Sequence, residues 1–256
     1  MRAQQTPFRV WTCLGRALSV LGRNFVPFYA LAILITVLPE IYTQVFGLAS
    51  VDPKNYAFRS AEMWILDGIV WLAGIVLLNL LSAAIVFGTT QELRGRHAAI
   101  GECVRRGLSL IVPTFLAAIV VTIVAGAGFL LLIIPGIILL MMYWLVIPVV
   151  VMERPGVFAS LKRSAQLTKG VRWKLLGTIL VPVAVAAVIG FVASQVTGLG
   201  FAFTAPQHGS TVGIVVSFLI NTLASAYYAV VNAVAYYDIR QSKEFVEIDQ
   251  IAAVFD

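Results

Sequence analysis

Residues Leu130–Lys174 read LLLIIPGIILLMMYWLVIPVVVMERPGVFASLKRSAQLTKGVRWK. One apolar run reaches Pro135-Gly136, and a second returns from it as far as Glu153. Proline removes a backbone donor and glycine permits a tight reversal, so the pair marks a turn. The two runs together are about twice the ~20 residues that cross the hydrocarbon of a bilayer. After Glu153 comes a basic amphipathic segment, and another apolar run opens at Trp173. The stretch therefore predicts a membrane hairpin, a surface helix and the start of a further hairpin.

The rest of the chain has the same character. Of its 256 residues, 60% are hydrophobic and 12% charged, with a mean hydropathy of +0.95. Globular domains carry about twice that charged fraction, so the length fits a single polytopic membrane domain over 1–256. A net charge of +6 raises the question of nucleic acid. No basic run interleaved with aromatics is present, and nucleic acid is not expected as a partner. The N-terminus lacks the apolar core and cleavage site of a signal peptide. Instead Phe8, Trp11, Leu14, Leu18 and Leu21 share one helical face, opposite Arg9, Arg16 and Arg23. That is an interfacial helix, and the first span is expected to act as the uncleaved signal.

Six spans follow, at about 25–47, 63–91, 110–134, 136–152, 173–197 and 212–237. Placing both termini in the cytoplasm puts sixteen of the eighteen Lys and Arg residues on that side, leaving only Lys54 and Arg59 outside. The positive-inside rule selects this orientation. Cys13 and Cys103 then lie on cytoplasmic surface segments, where a reducing compartment disfavours a disulfide.

Three amphipathic segments align without gaps: Trp11–Val20 (WTCLGRALSV), Gly101–Leu110 (GECVRRGLSL) and Phe158–Leu167 (FASLKRSAQL). Arg16, Arg106 and Arg163 coincide, as do Leu14, Val104 and Leu161, and Leu18, Leu108 and Ala165. Cys13 and Cys103 coincide with Ser160. Each segment precedes a pair of spans. The expected fold is thus an all-α integral membrane protein, with six transmembrane helices as three hairpins, each preceded by a cytoplasmic amphipathic helix. The repeat units are about 8–91, 99–152 and 157–238, with a short tail over 239–256 and a pseudo-threefold arrangement.

Two groups of residues are candidates for function. Basic interfacial helices attract anionic headgroups, which singles out Arg16, Arg105, Arg106, Lys162, Arg163, Ser164 and Lys169 as lipid or anion ligands. Polar groups inside spans are costly and mark sites or helix contacts. Glu40 and Asp67, at similar depth, form a candidate outward-facing acidic pair, and Asn79 and Asn221 are further intramembrane candidates. Glu153 is expected to pair with a nearby basic residue, and Tyr236 and Tyr237 to sit in an interfacial belt.

Catalytic patterns are absent. His97 and His208 fall on opposite sides of the expected membrane, and no GxSxG, HExxH, CxxC or GxxxxGK[ST] motif occurs. No enzyme activity, metal or cofactor is expected. The pieces IPGI around Pro135, then Glu153, Ser164, Leu167 and Gly170, and the closing YYDIR resemble the membrane domain of the glycerophosphoryl diester phosphodiesterase family and the related YciC-like membrane proteins. The resemblance covers most of the chain from about Gly101 onward. It implies a six-span protein of the bacterial cytoplasmic (inner) membrane. In some relatives the domain precedes a soluble phosphodiesterase, whose histidines and acidic metal ligands are not found after Tyr237.

The leading expectation is a non-catalytic membrane protein that binds or organises phospholipid, or a related amphiphile, through its basic helices. The alternatives are a small-solute or ion transporter or channel, and an accessory subunit of an envelope enzyme or exporter with a membrane-protein partner.

Overall fold

The computed structural model describes residues 8–45, 61–97, 99–197 and 211–255. Arg2, Lys54, Arg59 and His208 lie outside the described residues, as do the side chains of Gln195, Glu247 and Asp249. Among the described residues the chain forms ten helices. They are α1 (Val10–Arg23), α2 (Phe25–Val45), α3 (Ala61–Leu93), α4 (Ile100–Ser109), α5 (Ile111–Leu131), α6 (Ile133–Tyr143), α7 (Val146–Met152), α8 (Val157–Thr168), α9 (Arg172–Thr197) and α10 (Thr211–Phe255). Six segments are long and apolar enough to cross a membrane: Phe25–Tyr42, Ala61–Leu93, Ile111–Leu131, Ile133–Met152, Arg172–Val192 and Val215–Glu244. Their outer surfaces are apolar, with Leu34 70%, Ile123 66% and Val188 63% exposed. Such surface on every side is the make-up of a multi-pass membrane protein.

Proline sets the breaks between consecutive helices. Pro27, Pro113, Pro135 and Pro148 are each the third residue of a helix, α2, α5, α6 and α7. At that position a missing N–H costs nothing within the new helix, because first-turn donors have no intrahelical partner. The same proline cannot donate to the carbonyl four residues back, so the preceding helix ends there. α1 ends at Arg23, α4 at Ser109 and α5 at Leu131, each four residues before its proline. Pro39 and Pro182 instead lie inside α2 and α9.

This rule corrects the expected reversal at Pro135-Gly136. The chain turns at Leu132, whose extended backbone (φ −162°, ψ 150°) separates α5 from α6. Gly136 has a different task. A Cβ on Gly128 would lie 3.1 Å from the Gly136 Cα, and one on Gly136 would lie 2.5 Å from the Phe129 ring. The two glycines let α5 and α6 approach closely, as small residues do between membrane helices.

The fourth apolar segment carries a second break that the hydropathy pattern does not show. α6 stops at Tyr143 and α7 starts at Val146. Pro148 leaves the Trp144 carbonyl without its helical donor, and Asn232 Nδ2 on α10 supplies one at 3.1 Å. The Met142 carbonyl accepts from Ser164 Oγ at 2.8 Å and Thr168 Oγ1 at 3.4 Å, both on α8. The Trp144 indole N–H donates to the Tyr228 hydroxyl. Side chains of α8 and α10 thereby satisfy main-chain groups that a continuous helix would have satisfied itself.

α10 is the hub of the bundle. Val230, Val231, Ala233, Val234 and Ala235 are fully buried, and the helix contacts α1, α2, α3, α7, α8 and α9. α2 also packs on α3, and α5 on α6. Burial concentrates towards one end, over 79–90 of α3 and 226–239 of α10. α1, α4 and α8 gather at this end with most of the arginines, and it is called the basic end below.

Candidate functional site

The three aligned arginines have three different fates. Arg16 on α1 donates to Asp238 on α10. Arg163 on α8 is spent on two carboxylates, with Nε 3.0 Å from Glu153 Oε2 and Nη2 2.9 Å from Glu244 Oε1. Arg106 on α4 has no carboxylate partner among the described residues. Its guanidinium lies over the Phe87 ring, 5.4 Å from the centroid, and its Nε is buried with no acceptor.

Close packing of α4 on α3 puts Arg106 there. A Cβ on Gly107 would come 2.8 Å from Leu80 Cδ1 and 3.1 Å from the Leu80 carbonyl oxygen. One on Gly88 would lie 2.9 Å from the Phe28 ring and 3.1 Å from Cys103 Sγ. Only glycine fits at either place without a shift, so the α4 backbone rests on α3 and the residue before Gly107 reaches Phe87. A face-on guanidinium–aromatic contact contributes about 0.5–2 kcal/mol and leaves the guanidinium N–H groups at the ring's edge free to bond elsewhere.

Beside this contact lies a cleft of about 550 Å³ lined by Phe87, Gln91, Glu102, Arg105, Arg106, Ser109 and Arg154. Three guanidinium groups face one carboxylate. No ion pair joins Glu102 to any of them among the described residues. The cleft also holds an acceptor without a donor, the buried Gln91 Oε1. Arg154 enters from the end of α7 with φ 53°, the sole non-glycine at positive φ among the described residues. It follows the C-cap Glu153, at the position where helices commonly place glycine. A residue with a Cβ there costs about 1–2 kcal/mol of backbone strain. The sequence pattern missed Arg154. The available signal was Arg-Pro-Gly directly after a helix end, with a charged side chain in the glycine position.

The remaining basic-end candidates are mostly architectural. Glu153 accepts from the Tyr236 hydroxyl at 2.9 Å as well as from Arg163. Arg240 closes the ring, donating to Tyr236 Oη at 2.9 Å and to Glu244 Oε1 at 2.7 Å. Glu153, Arg163, Glu244, Arg240 and Tyr236 thus form one circuit tying α7 and α8 to α10. Tyr236 is buried in it and is not a member of an interfacial belt. Ser164 is turned inward to the Met142 carbonyl. Lys162 and Lys169 are exposed. Lys243 Nζ donates to the Gln166 and Lys169 carbonyls at 2.7 and 2.9 Å, capping the end of α8.

The intramembrane candidates divide between different neighbours. Asp67 accepts from the Tyr42 hydroxyl at 3.2 Å. Glu40 lines a smaller cleft of about 220 Å³ between α2, α3 and α10, together with Thr36, Asn221, Thr222 and Ser225. Asp67 does not line that cleft. The amides of Asn79 and Asn221 donate to carbonyls of their own helices, Ile75 and Ser217, each at 2.9 Å.

Cys13 and Cys103 lie on the expected amphipathic segments, α1 and α4, with both side chains buried. Cys13 and Cys103 fall on the faces of α1 and α4 that the bundle covers. Burial pushes the Cys13 thiol up to about 12 and Cys103 up to about 11, reinforced by Asp238 and Glu102 respectively. The apolar faces of these surface helices are wider than the bundle covers. Leu14 and Leu21 turn inward, while Trp11 (75%), Leu18 (62%), Leu108 (54%) and Phe158 (77%) turn outward.

Among the described residues no three His, Cys, Asp or Glu side chains are grouped to hold a metal ion. No family model, curated protein or solved structure matches this chain.

Proposed function

We propose that this is a non-catalytic integral membrane protein that holds the phosphate of a membrane phospholipid, or a related amphiphile, in the Arg105–Arg106–Arg154 cleft. The observation that carries this reading is Arg106. Of three equivalent arginines it is the one without a carboxylate, and its buried Nε has a donor to give and nothing to receive it. A buried unmade hydrogen bond costs about 1–3 kcal/mol, more at a charged group, and a phosphate oxygen would supply the acceptor. The strained Arg154 supports the same reading, because backbone strain persists where a side chain is needed in a particular place. The outward-turned Trp11, Leu18, Leu108 and Phe158 fit helices lying in the membrane interface, within reach of headgroups.

The setting belongs to the same proposal. The charge distribution favours a cytoplasmic basic end, and the resemblance favours a bacterial inner membrane as its setting. The packing of α2 on α3, α5 on α6 and α9 on α10 supports three hairpins, each following a basic helix, in a threefold repeat. The residues that carry the family resemblance have defined places in the fold. Glu153 anchors the ion circuit, Ser164 satisfies Met142, Leu167 is buried, and Gly170 adopts φ 85°. These are framework roles.

Native mass spectrometry of the protein purified in a mild detergent, after exchange into phosphatidylglycerol nanodiscs, tests the reading. Wild type is expected to retain phospholipid. Arg105→Ala with Arg106→Ala is expected to lose it, and Arg16→Ala to keep it. Equal retention in all three would overturn the reading.

A second reading, a small-solute or ion transporter, draws on the cleft at Glu40, where Pro39 removes the helical donor of the Ile35 carbonyl. It requires solute flux in liposomes that Glu40→Gln reduces.

A further inference from the structure

Resting on the phosphate reading of the cleft, we infer that the headgroup held there is zwitterionic, a phosphodiester with an ammonium group beside it, as in phosphoethanolamine. The basis is a pair of acceptors, the exposed Glu102 carboxylate and the buried Gln91 Oε1, that line the same open cleft as the arginines. A purely anionic headgroup would answer the arginines and nothing else. This cleft also presents Glu102, a carboxylate with no ion pair among the described residues, and the buried Gln91 Oε1, an acceptor with no donor. A ligand that carried only negative charge would meet repulsion at Glu102 and leave Gln91 unsatisfied. An ammonium supplies three N–H donors and a positive charge, enough for both groups at once.

Geometry keeps the two kinds of charge apart without a ligand. Glu102 and Arg106 lie four residues apart on α4, the spacing at which a Glu preceding an Arg forms a helical ion pair. The pair is not made, because Arg106 is drawn over Phe87 by the Gly107–Leu80 contact. Phosphate at the guanidinium side and ammonium at Glu102 would bridge them, and a volume of about 550 Å³ accommodates a headgroup. Glycerol hydroxyls also donate hydrogen bonds, but they bring no charge to a carboxylate. Phosphatidylglycerol is therefore the discriminating competitor.

The test is a competition. The full-length protein is placed in nanodiscs of equimolar phosphatidylethanolamine and phosphatidylglycerol with matched acyl chains, and retained lipid is counted by native mass spectrometry. Wild type is expected to favour phosphatidylethanolamine by roughly two- to fivefold, the range of one exposed ion pair. Glu102→Gln is expected to abolish the preference while total retention persists. Gln91→Leu is expected to weaken it. A preference for phosphatidylglycerol, no preference at all, or one unchanged by Glu102→Gln would overturn the inference and leave the phosphate reading standing. If the protein retains no phospholipid of either kind, the phosphate reading fails too.

Discussion

Asn232 on α10 donates its side-chain amide to the main-chain carbonyl of Trp144, 88 residues earlier, at 3.1 Å. That carbonyl is the one Pro148 cannot serve, so the bond repairs a break that the sequence itself introduces. Asn232→Ala is expected to destabilise the protein by about 1–3 kcal/mol. In a Pro148→Ala background the chain regains an amide N–H at that position, and the cost of Asn232→Ala should shrink by about 1 kcal/mol. Thermal unfolding of the four proteins in one detergent measures the coupling, and strict additivity would count against it.

The proposed site predicts a trade-off between binding and stability at Arg154. Arg154→Gly removes the left-handed strain and the guanidinium together. The variant is expected to unfold later than wild type, by about 1 kcal/mol in stability, yet to retain less phospholipid. A variant that is both less stable and unaltered in lipid content would show that Arg154 serves the fold alone.

The α5–α6 contact predicts a compensating pair. Gly136→Ala places a methyl group 2.5 Å from the Phe129 ring and is expected to cost about 1–3 kcal/mol. Phe129→Ala in the same chain opens room for it. The double variant should therefore lose less stability than the two single losses added together.

The buried thiols give the protein an alkaline weakness. Cys13 and Cys103 hold their protons up to about 12 and about 11 in the folded chain, against 9.0 ordinarily. Between these values the unfolded chain has released protons that the folded chain still binds. Stability is therefore full below about pH 9 and falls as pH rises above it. Replacing both by alanine should flatten that fall, as read from unfolding midpoints at pH 8 and pH 10. The same burial makes maleimide labelling of the folded chain slow at pH 8 from either side of a membrane.

Much of this fold is legible from hydropathy. The six apolar segments overlap the expected spans, with ends that differ by up to seven residues, because hydrocarbon thickness sets their length, and α10 runs on to Phe255 where the sequence suggests a short tail. The helix breaks are harder to read. Pro135-Gly136 looks like the turn itself, whereas a proline belongs comfortably to the first turn of the helix that follows the reversal. The gap at Trp144–Leu145 leaves no mark on hydropathy, since every residue around it is apolar. The candidate site was half legible. A gapless alignment of three amphipathic segments brings Arg16, Arg106 and Arg163 to one position. It cannot tell that Asp238, 222 residues from Arg16, and Glu244, 81 residues from Arg163, neutralise two of them. Those partners are set by how α10 packs, as is the lack of one at Arg106.

The central claim concerns what occupies the space beside Arg106. An electron cryomicroscopy map of the protein in nanodiscs containing phosphatidylethanolamine and phosphatidylglycerol tests it most directly. The account predicts headgroup density in the cleft, with a phosphate oxygen within hydrogen-bonding distance of Arg106 Nε, and with Arg16 and Arg163 still on their carboxylates. A cleft without lipid density, or a headgroup seated on Arg163 with its bonds to Glu153 and Glu244 broken, would contradict it.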